Sequence, residues 1–175
     1  RIEPASVVKV SVKAGVAQVV ADLTDSVIGW GRYCGLCAAD NLLAISLAGP
    51  EIDPKETREA LAAIYNHQMP DGGWGWWSGQ SDPEITAAVL TDLARARARN
   101  IPIADRAIER GIYCAVEQFK TEMLWERAAQ LASAVTLAGH KDSTALLEKV
   151  HEKGKPLSPF AQLSLAEAYL QDGKR

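Results

Sequence analysis

The sequence predicts a mainly α-helical fold built from antiparallel helical hairpins, and two observations support this prediction. Apolar residues recur at the three- and four-residue spacing of a helix along most of the chain after Gly15. Helix starts recur about every twenty residues with short connections between them, which is typical of stacked helical hairpins. The sequence itself hardly repeats, apart from the Leu-Ala-Gly echoes at 47–49 and 137–139. We therefore expect an α/α arrangement rather than a short-consensus solenoid.

The N-terminal residues are predicted to differ from the rest of the chain. Three valines alternate with polar residues over 6–13, which predicts one short, half-exposed β-strand. A lone strand needs a pairing partner, so we expect residues 1–15 to be a strand and linker leading in from a preceding domain of a longer protein. Residues 16–175 then form the helical domain, which begins with a helix over 16–28.

Most later helices have a start or stop signal. An aspartate or serine before a proline marks three helix starts, because the side chain caps the helix and proline suits its first turn: Asp53-Pro54, Asp82-Pro83 and Ser158-Pro159. Asp142 predicts a further cap, and glycines at 49, 139, 154 and 173 predict helix ends. The apolar faces of the predicted helices contain, in order, Leu36 to Leu47 (in a helix opened by residues 30–37), Leu61 to Tyr65, Ile85 to Ala96, Ile108 to Phe119, Leu124 to Val135, a short stretch to Val150, and Leu163 to Leu170.

Composition excludes several classes of partner. The chain has 175 residues, 47% of them hydrophobic, which suits a single domain with a real core. A net charge of -3 without a basic stripe argues against nucleic acid. No apolar run approaches the roughly 20 residues that a membrane-spanning helix needs. The histidines at 67, 140 and 151 lack metal-ligand spacing and no catalytic motif is present, so we expect no metal, no cofactor and no enzymatic activity.

The stretch from Gln68 to Thr86, QMPDGGWGWWSGQSDPEIT, is the most distinctive part of the chain. Its glycines permit the positive φ angles of tight turns, and its tryptophans supply large apolar area. We expect this aromatic loop to fold back as a structural plug that buries several aromatic faces, so that replacing Trp76 would cost roughly 3–5 kcal/mol. The loop residues concerned are Asp71, Gly72, Gly73, Trp74, Trp76 and Trp77.

This pattern, a glutamine before DGGWGWW and then SDP-x-x-TA-x-VL, resembles the thioester domain of the bacterial α2-macroglobulin family. The resemblance extends from Trp30 to Asp172 and implies an α/α-toroid, a closed ring of helical hairpins, of which this chain holds the N-terminal portion. An incomplete ring would expose apolar helix faces, so we expect missing residues, more protein downstream, or self-association. The resemblance also implies a bacterial envelope protein, periplasmic or extracellular, whose partners are other domains of a larger chain and proteases.

The family's reactive site is a Tyr-Pro-Tyr-Gly-Cys-x-Glu-Gln-like motif, in which cysteine and glutamine side chains join as an internal thioester. Setting residues 30–34, WGRYC, on that motif places Cys34 on the reactive cysteine. Gly35 then matches the variable position, Leu36 replaces the glutamate and Cys37 replaces the glutamine. A cysteine offers no acyl carbon, so the resemblance implies a thioester-less member with a vestigial locus at residues 34–37, flanked by Trp30 and Tyr33.

Other registers do not restore the bond. With Cys37 as the reactive cysteine, Ala39 and Asp40 fall on the Glu and Gln positions, and a carboxylate would need activation before a thiol could displace its oxygen. The run from Cys114 to Gln118 has one residue too many and lies within a helical pattern. Family members that activate the thioester use a histidine in the region of residues 125–126, where this chain has none.

Cys34 and Cys37 form a CxxC at a helix start, and their state is left open by the sequence. Three-residue separation there lets the sulfurs meet, and a helix N-terminus lowers a thiol pKa, so a disulfide or labile pair is one alternative. Two reduced, packed thiols are the other. Redox catalysis is less favoured, because no βαβ pattern surrounds the motif. Cys114 lies among apolar helical residues and is expected to be a buried structural thiol.

Three functional hypotheses follow. The first is a thioester-less α2-macroglobulin-like domain acting in non-covalent protease trapping, protease inhibition or envelope defence. The second is an α/α-toroid enzyme, such as a terpene cyclase or lyase, which would need a deep cavity lined with acidic or aromatic groups. In the sequence, Asp71 and the tryptophans are the only candidates for such a lining. The third is an interaction module that uses the aromatic loop as its contact, which exposed tryptophans would favour.

Overall fold

The computed structural model describes Ile28 and residues 33–48, 53–77, 79–154 and 156–173 of the 175-residue chain. These residues form seven α-helices and, within the same ranges, no β-strand: α1 Gly35–Ala48, α2 Pro54–His67, α3 Pro83–Ala98, α4 Asp105–Thr121, α5 Trp125–Leu137, α6 Ser143–Glu152 and α7 Pro159–Asp172. The prediction of a mainly helical protein is therefore confirmed. The predicted strand over 6–13, the domain boundary at residue 15 and the side chain of Trp30 lie outside the described residues.

All three helix starts predicted before a proline are confirmed. The Asp53 carboxylate accepts a hydrogen bond from the backbone N–H of Lys55 at 2.8 Å at the start of α2. Asp82 accepts from the N–H groups of Glu84 and Ile85 at 2.9 and 3.1 Å at the start of α3. At α7, the Ser158 hydroxyl accepts from the N–H of Ala161 at 3.2 Å.

One detail of the predicted starts is wrong. α1 begins at Gly35, within the residues 30–37 that were predicted to open it. α6 begins at Ser143 as expected, but the Asp142 side chain makes no capping hydrogen bond, and its φ and ψ of -100° and 23° differ from the extended backbone usual at a helix cap. The predicted cap is therefore a simple turn residue.

The helices alternate between two layers. One layer contains α1, α3, α5 and α7. Within this layer α1 packs on α3, α3 packs on α5, and α5 packs on α7. α2 packs on α1, α4 packs on both α3 and α5, and α6 packs on both α5 and α7, so these three helices form the second layer. Every second helix thus returns to the same layer, which is the predicted α/α arrangement of stacked hairpins. Closure into a ring remains a prediction.

The core lies where α3 and α5 meet their neighbours, because both helices are covered on more than one side. α5 buries a series of alanines beside Leu131 and Val135, and small side chains let neighbouring helices approach closely. Ser133 and Thr136 are also buried there, and each hydroxyl donates to the carbonyl four residues earlier at 2.8 Å. Their polar groups are therefore satisfied within the helix itself.

The last described helix has an uncovered apolar face. α7 buries only Ala161 and Ala168, whereas Phe160, Leu163 and Leu170 are about two-thirds exposed. These three side chains give α7 an exposed apolar surface. Within the described residues no helix is both long and apolar enough to cross a membrane.

Candidate functional site

The aromatic loop starts with the predicted turn. Gly72 has a φ of 97°, which favours glycine, and its N–H donates to the carbonyl of Met69 at 2.9 Å. Asp71 closes the turn with one carboxylate oxygen, which accepts from the N–H of Gly73 at 3.0 Å. Its other oxygen accepts from the Ser81 hydroxyl at 2.6 Å, so Asp71 also ties the start of the loop to its end. Asp71 is therefore a turn-forming residue.

Trp74 is the centre of the loop and is completely buried. Its indole Nε1 donates to the carbonyl of Ile64 in α2 at 3.0 Å. Its backbone N–H donates to the Thr86 hydroxyl, which in turn donates to the Trp74 carbonyl, both at 3.0 Å. The Asp82 N–H donates to that same carbonyl at 2.8 Å. A single residue therefore joins the end of α2 to the start of α3.

Two glycines make room for the Trp74 indole. A Cβ atom at Gly35 in α1 would lie 2.7 Å from Trp74 Cδ1, and one at Gly111 in α4 would lie 2.8 Å from Trp74 Cζ3. Side chains at either position would therefore collide with the ring. The indole thus contacts α1 and α4 in addition to α2 and α3, to which it is hydrogen-bonded.

Trp76 and Trp77 do not share this burial, and the expectation that the loop buries several aromatic faces is wrong for them. Trp76 is 54% exposed and Trp77 is 83% exposed, with ring centroids 6.4 Å apart. The physical reason is that hydrogen bonds anchor Trp74 between the helices, whereas the described residues 76–77 and 79–80 lie at the surface. Trp76 instead lines a cleft among α1, α3, α5 and α7.

Residues 34–37, on which the resemblance places a vestigial thioester locus, lie at the N-terminus of α1. Cys34 and Cys37 are joined by a disulfide, with their Cα atoms 5.3 Å apart. The Cys37 N–H also donates to Cys34 Sγ at 3.1 Å. Gly35 is buried against Trp74, and Leu36 is half-buried and lines the cleft. The oxidation state of the pair in the cell stays a prediction.

The residues flanking the locus are placed differently. Tyr33 is 90% exposed, so it does not form a packed shell over the cysteines. Trp30, the other residue predicted to flank them, lies outside the described residues. Neither Cys34 nor Cys37 carries an acyl carbon, so the pair itself can form or break a disulfide but not a thioester.

Cys114 is buried, as predicted, and belongs to a polar cluster that sequence reasoning missed. Its sulfur lies 3.5 Å from the Ser81 hydroxyl oxygen, which also accepts a hydrogen bond from Gln118 Nε2 at 2.9 Å. Burial is the main cause that raises the pKa of the Cys114 thiol, although the hydrogen bond to Ser81 opposes it. The signal for this cluster in the sequence was the spacing of Cys114 and Gln118, because residues four apart lie on the same face of a helix.

A cleft of about 330 Å³ opens among α1, α3, α5 and α7. Asp92 of α3 is buried in it, and its side chain is hydrogen-bonded to the side chain of Asp40 of α1. Burial, followed by this hydrogen bond and by repulsion from Asp40, raises the pKa of Asp92 to about 8, although Arg95 opposes the shift. Asp92 is therefore largely protonated at neutral pH.

An ion pair stands beside this carboxyl pair. Arg95 Nη2 donates to Glu167 Oε2 of α7 at 2.6 Å, and Arg95 Nε donates to Oε1 at 3.3 Å. The hydrogen bond to Glu167 is the main cause that raises the pKa of Arg95. The cleft was not predicted from the sequence. The available signal was that Asp40 and Asp92 lie at helical spacing from apolar residues that are buried. Among the described residues no group of three or more histidines, cysteines or carboxylates could hold a metal ion.

The fold and the locus define a two-layer α/α helical protein with a CxxC at the start of its first described helix. A stretch of 68 residues, 37% of the chain, is 34% identical to a protein named Alpha-2-macroglobulin from Thermotoga maritima. The matched stretch spans 4% of the length of that relative. No family model and no solved structure matches the chain. The chain is thus similar over part of its length to an α2-macroglobulin.

Proposed function

We propose that this chain is a thioester-less domain of an α2-macroglobulin-like envelope protein, which takes part in protease trapping or envelope defence through non-covalent contacts. The observation that carries the proposal is the disulfide between Cys34 and Cys37. Cys37 occupies the position of the glutamine, the acyl donor, in the family's thioester motif. The partial similarity to a Thermotoga protein named Alpha-2-macroglobulin supports the family assignment. The domain itself is proposed to be non-enzymatic.

The disulfide replaces the thioester as the covalent closure of the helix start. It spans nearly the same loop, but it has no electrophilic carbonyl that could acylate an attacking amine or a protease. The domain would therefore hold a protease without a covalent link. A persistent disulfide favours an oxidising compartment, so we propose a periplasmic or extracellular location.

The intact mass of the native protein tests this proposal. We expect a mass about 2 Da below that of the all-thiol sequence, restored by reduction and unchanged by methylamine. Cys37→Ser and Cys34→Ser variants, which cannot form this disulfide, should show no such deficit. A native mass lower by one ammonia, with a methylamine adduct formed on treatment, would contradict the proposal and restore covalent trapping. A native mass equal to the all-thiol mass would mean that both cysteines are reduced. The proposal would then lose the observation that carries it.

Protease trapping needs a separate test, in the whole protein to which the domain belongs. A protease captured non-covalently should elute with that protein under native conditions and separate from it in denaturing gels without reduction. A protease band that stays attached after denaturation would contradict non-covalent capture. Absence of co-elution across serine, cysteine and metalloproteases would contradict trapping altogether.

A second role, as an interaction module, is favoured by the exposure of Trp76 and Trp77. Exposed tryptophans side by side are common anchors of protein interfaces. Co-purification of this chain with the neighbouring domains of its parent protein, comparing wild type with Trp77→Ala, tests that role. An unchanged yield of the complex would show that Trp77 is not an anchor.

A further inference from the structure

The cleft among α1, α3, α5 and α7 has the size and lining of a small-ligand site. Its volume of about 330 Å³ falls in the range of ligand pockets, which combine apolar walls with a few convergent polar groups. Its apolar wall includes Ile85 and alanines of α3, and its polar groups come from all four helices of the layer. The locus at residues 34–37 contributes only Leu36, so the cleft is a distinct site.

Negative charge exceeds positive charge in this cleft. Among its described lining residues, four are carboxylic acids and one is a cation, Arg95: the acids are Asp40, Glu84, Asp92 and Glu167. Glu167 is paired with Arg95, and Glu84 lies 3.8 Å from Arg127 outside the lining. Arg95 Nη1 reaches within only 4.0 Å of Asp92 Oδ1. The pair formed by Asp40 and Asp92 therefore has Arg95 as a neighbouring cation, and the shorter contact of that guanidinium is to Glu167.

The mouth of the cleft is aromatic. Trp76 and Phe160 both line it, and more than half of each side chain is exposed. Aromatic side chains commonly line ligand pockets and cover the apolar part of a ligand. The two residues come from the aromatic loop and from α7, so the mouth is formed from two separate elements.

We propose that this cleft binds an organic cation, an ammonium or guanidinium group on a short apolar body. The charged group lies at the carboxyl pair of Asp40 and Asp92, and the apolar body lies against Trp76 and Phe160. The same chemistry belongs to a free small amine and to a lysine or arginine side chain of a polypeptide. This proposal is independent of the state of Cys34 and Cys37.

Binding of such a cation should release a proton. In the empty cleft the proton of Asp92 is held by burial and by the hydrogen bond to Asp40. An arriving cation stabilises the ionised carboxylate, so Asp92 gives its proton to the solvent. The charged groups that face Asp92 within the described structure are Asp40 from α1 and Arg95 from its own helix, with Glu167 of α7 reaching it through Arg95. Affinity should therefore rise with pH up to about 8 and change little above it.

Isothermal titration calorimetry of the 175-residue chain tests the proposal, with N-acetyl-lysine methylamide as probe. The matched ligand control is N-acetyl-norleucine methylamide, which has no ammonium group. We expect the lysine probe to bind at least about tenfold more tightly than the norleucine probe, since a charge pair is worth this much in a partly dry site. Titrations at pH 6–9 in buffers of different ionisation enthalpy should show proton release at neutral pH that fades above pH 8.

Variants locate the site. Asp40→Asn and Asp92→Asn should each lower the affinity for the lysine probe about tenfold or more, and Asp92→Asn should abolish proton release. Glu152→Gln removes an exposed carboxylate of α6 outside the cleft and should change neither quantity. Asp40 is exposed, so its variant should fold even if the Asp92 variant does not; circular dichroism checks both.

Three outcomes would overturn the proposal. They are equal affinity for the two probes, no binding of the lysine probe at millimolar concentration, and unchanged affinity in both aspartate variants. A comparison of propylammonium with a lysine-containing hexapeptide identifies the source of the cation. Binding of propylammonium alone supports a free small amine, and binding of the hexapeptide supports a polypeptide side chain.

Discussion

Gly35, between the two cysteines at the start of α1, lies directly against the indole of Trp74. A Cβ atom at this glycine would be 2.7 Å from Trp74 Cδ1 and 3.3 Å from Cγ. The CxxC and the aromatic loop, which are separate motifs in the sequence, are therefore one packed unit. The position of the helix that carries Cys37 is set in part by a tryptophan from the loop between α2 and α3.

Gly35→Ala should destabilise the protein. Alanine normally favours a helix over glycine by roughly 0.5–1 kcal/mol. Here the added methyl group overpacks the core against a hydrogen-bonded indole, which typically costs about 1–3 kcal/mol. Urea unfolding followed by circular dichroism measures the change in the free energy of unfolding.

Gly173→Ala is the matched control for this substitution. Its nearest atom to an added Cβ is the Tyr169 carbonyl oxygen at 3.4 Å, and its φ of -65° suits any residue. We expect it to be neutral or slightly stabilising. A stabilising Gly35→Ala would show that the close contact with Trp74 is absent in the protein.

Trp74→Ala and Trp77→Ala should differ greatly in cost. Trp74 is fully buried and its loss leaves a large cavity, so the free energy of unfolding should fall by about 3–5 kcal/mol. Trp77 is 83% exposed, and surface changes of this kind stay within about 0.5 kcal/mol. Thermal unfolding of the two variants side by side measures the difference, and equal losses would contradict the assigned burial.

The stability of the protein should fall as the pH rises from about 4 towards 8. Burial and Asp40 raise the pKa of Asp92 to about 8, so between its unfolded and folded pKa the folded state holds a proton that the unfolded state has lost. This contribution is fully present below the unfolded pKa and is lost as the pH passes the folded pKa. Asp92→Asn, which keeps a donor towards Asp40, should remove this part of the decline.

The measurement is the free energy of unfolding of wild type and Asp92→Asn at pH 5 and pH 8. The variant's advantage should grow between these values, by an amount on the order of 3 kcal/mol. Glu152→Gln serves as the control, because its exposed carboxylate should leave the pH dependence unchanged. If the free energies of unfolding of wild type and Asp92→Asn change in parallel with pH, the pKa of Asp92 is not raised by folding.

Cys114 should resist alkylation in the folded protein. Its side chain is buried, and burial raises the pKa of the thiol, so little reactive thiolate is present at pH 8. Iodoacetamide followed by peptide mass spectrometry should modify Cys114 only after unfolding in urea. Rapid labelling of Cys114 under native conditions would contradict its placement beside Ser81.

Features that depend on neighbouring residues in the chain could be predicted before the structure was known. The caps at Asp53, Asp82 and Ser158 are confirmed because a capping side chain bonds to backbone groups two or three residues away. The turn at Gly72 is confirmed for the same reason, since a positive φ is a local demand. The burial of Cys114 followed from the apolar helical face around it.

Contacts between residues of different helices could not be predicted in the same way. Three tryptophans within four residues are alike in the sequence, yet only Trp74 is buried, because burial depends on where α1 and α4 leave space for a ring. Asp40 and Asp92 each look like an isolated acid on its own helix, and only the packing of α1 on α3 joins them into a pair. Contacts between distant residues follow from the packing of helices, which local propensity and capping do not specify.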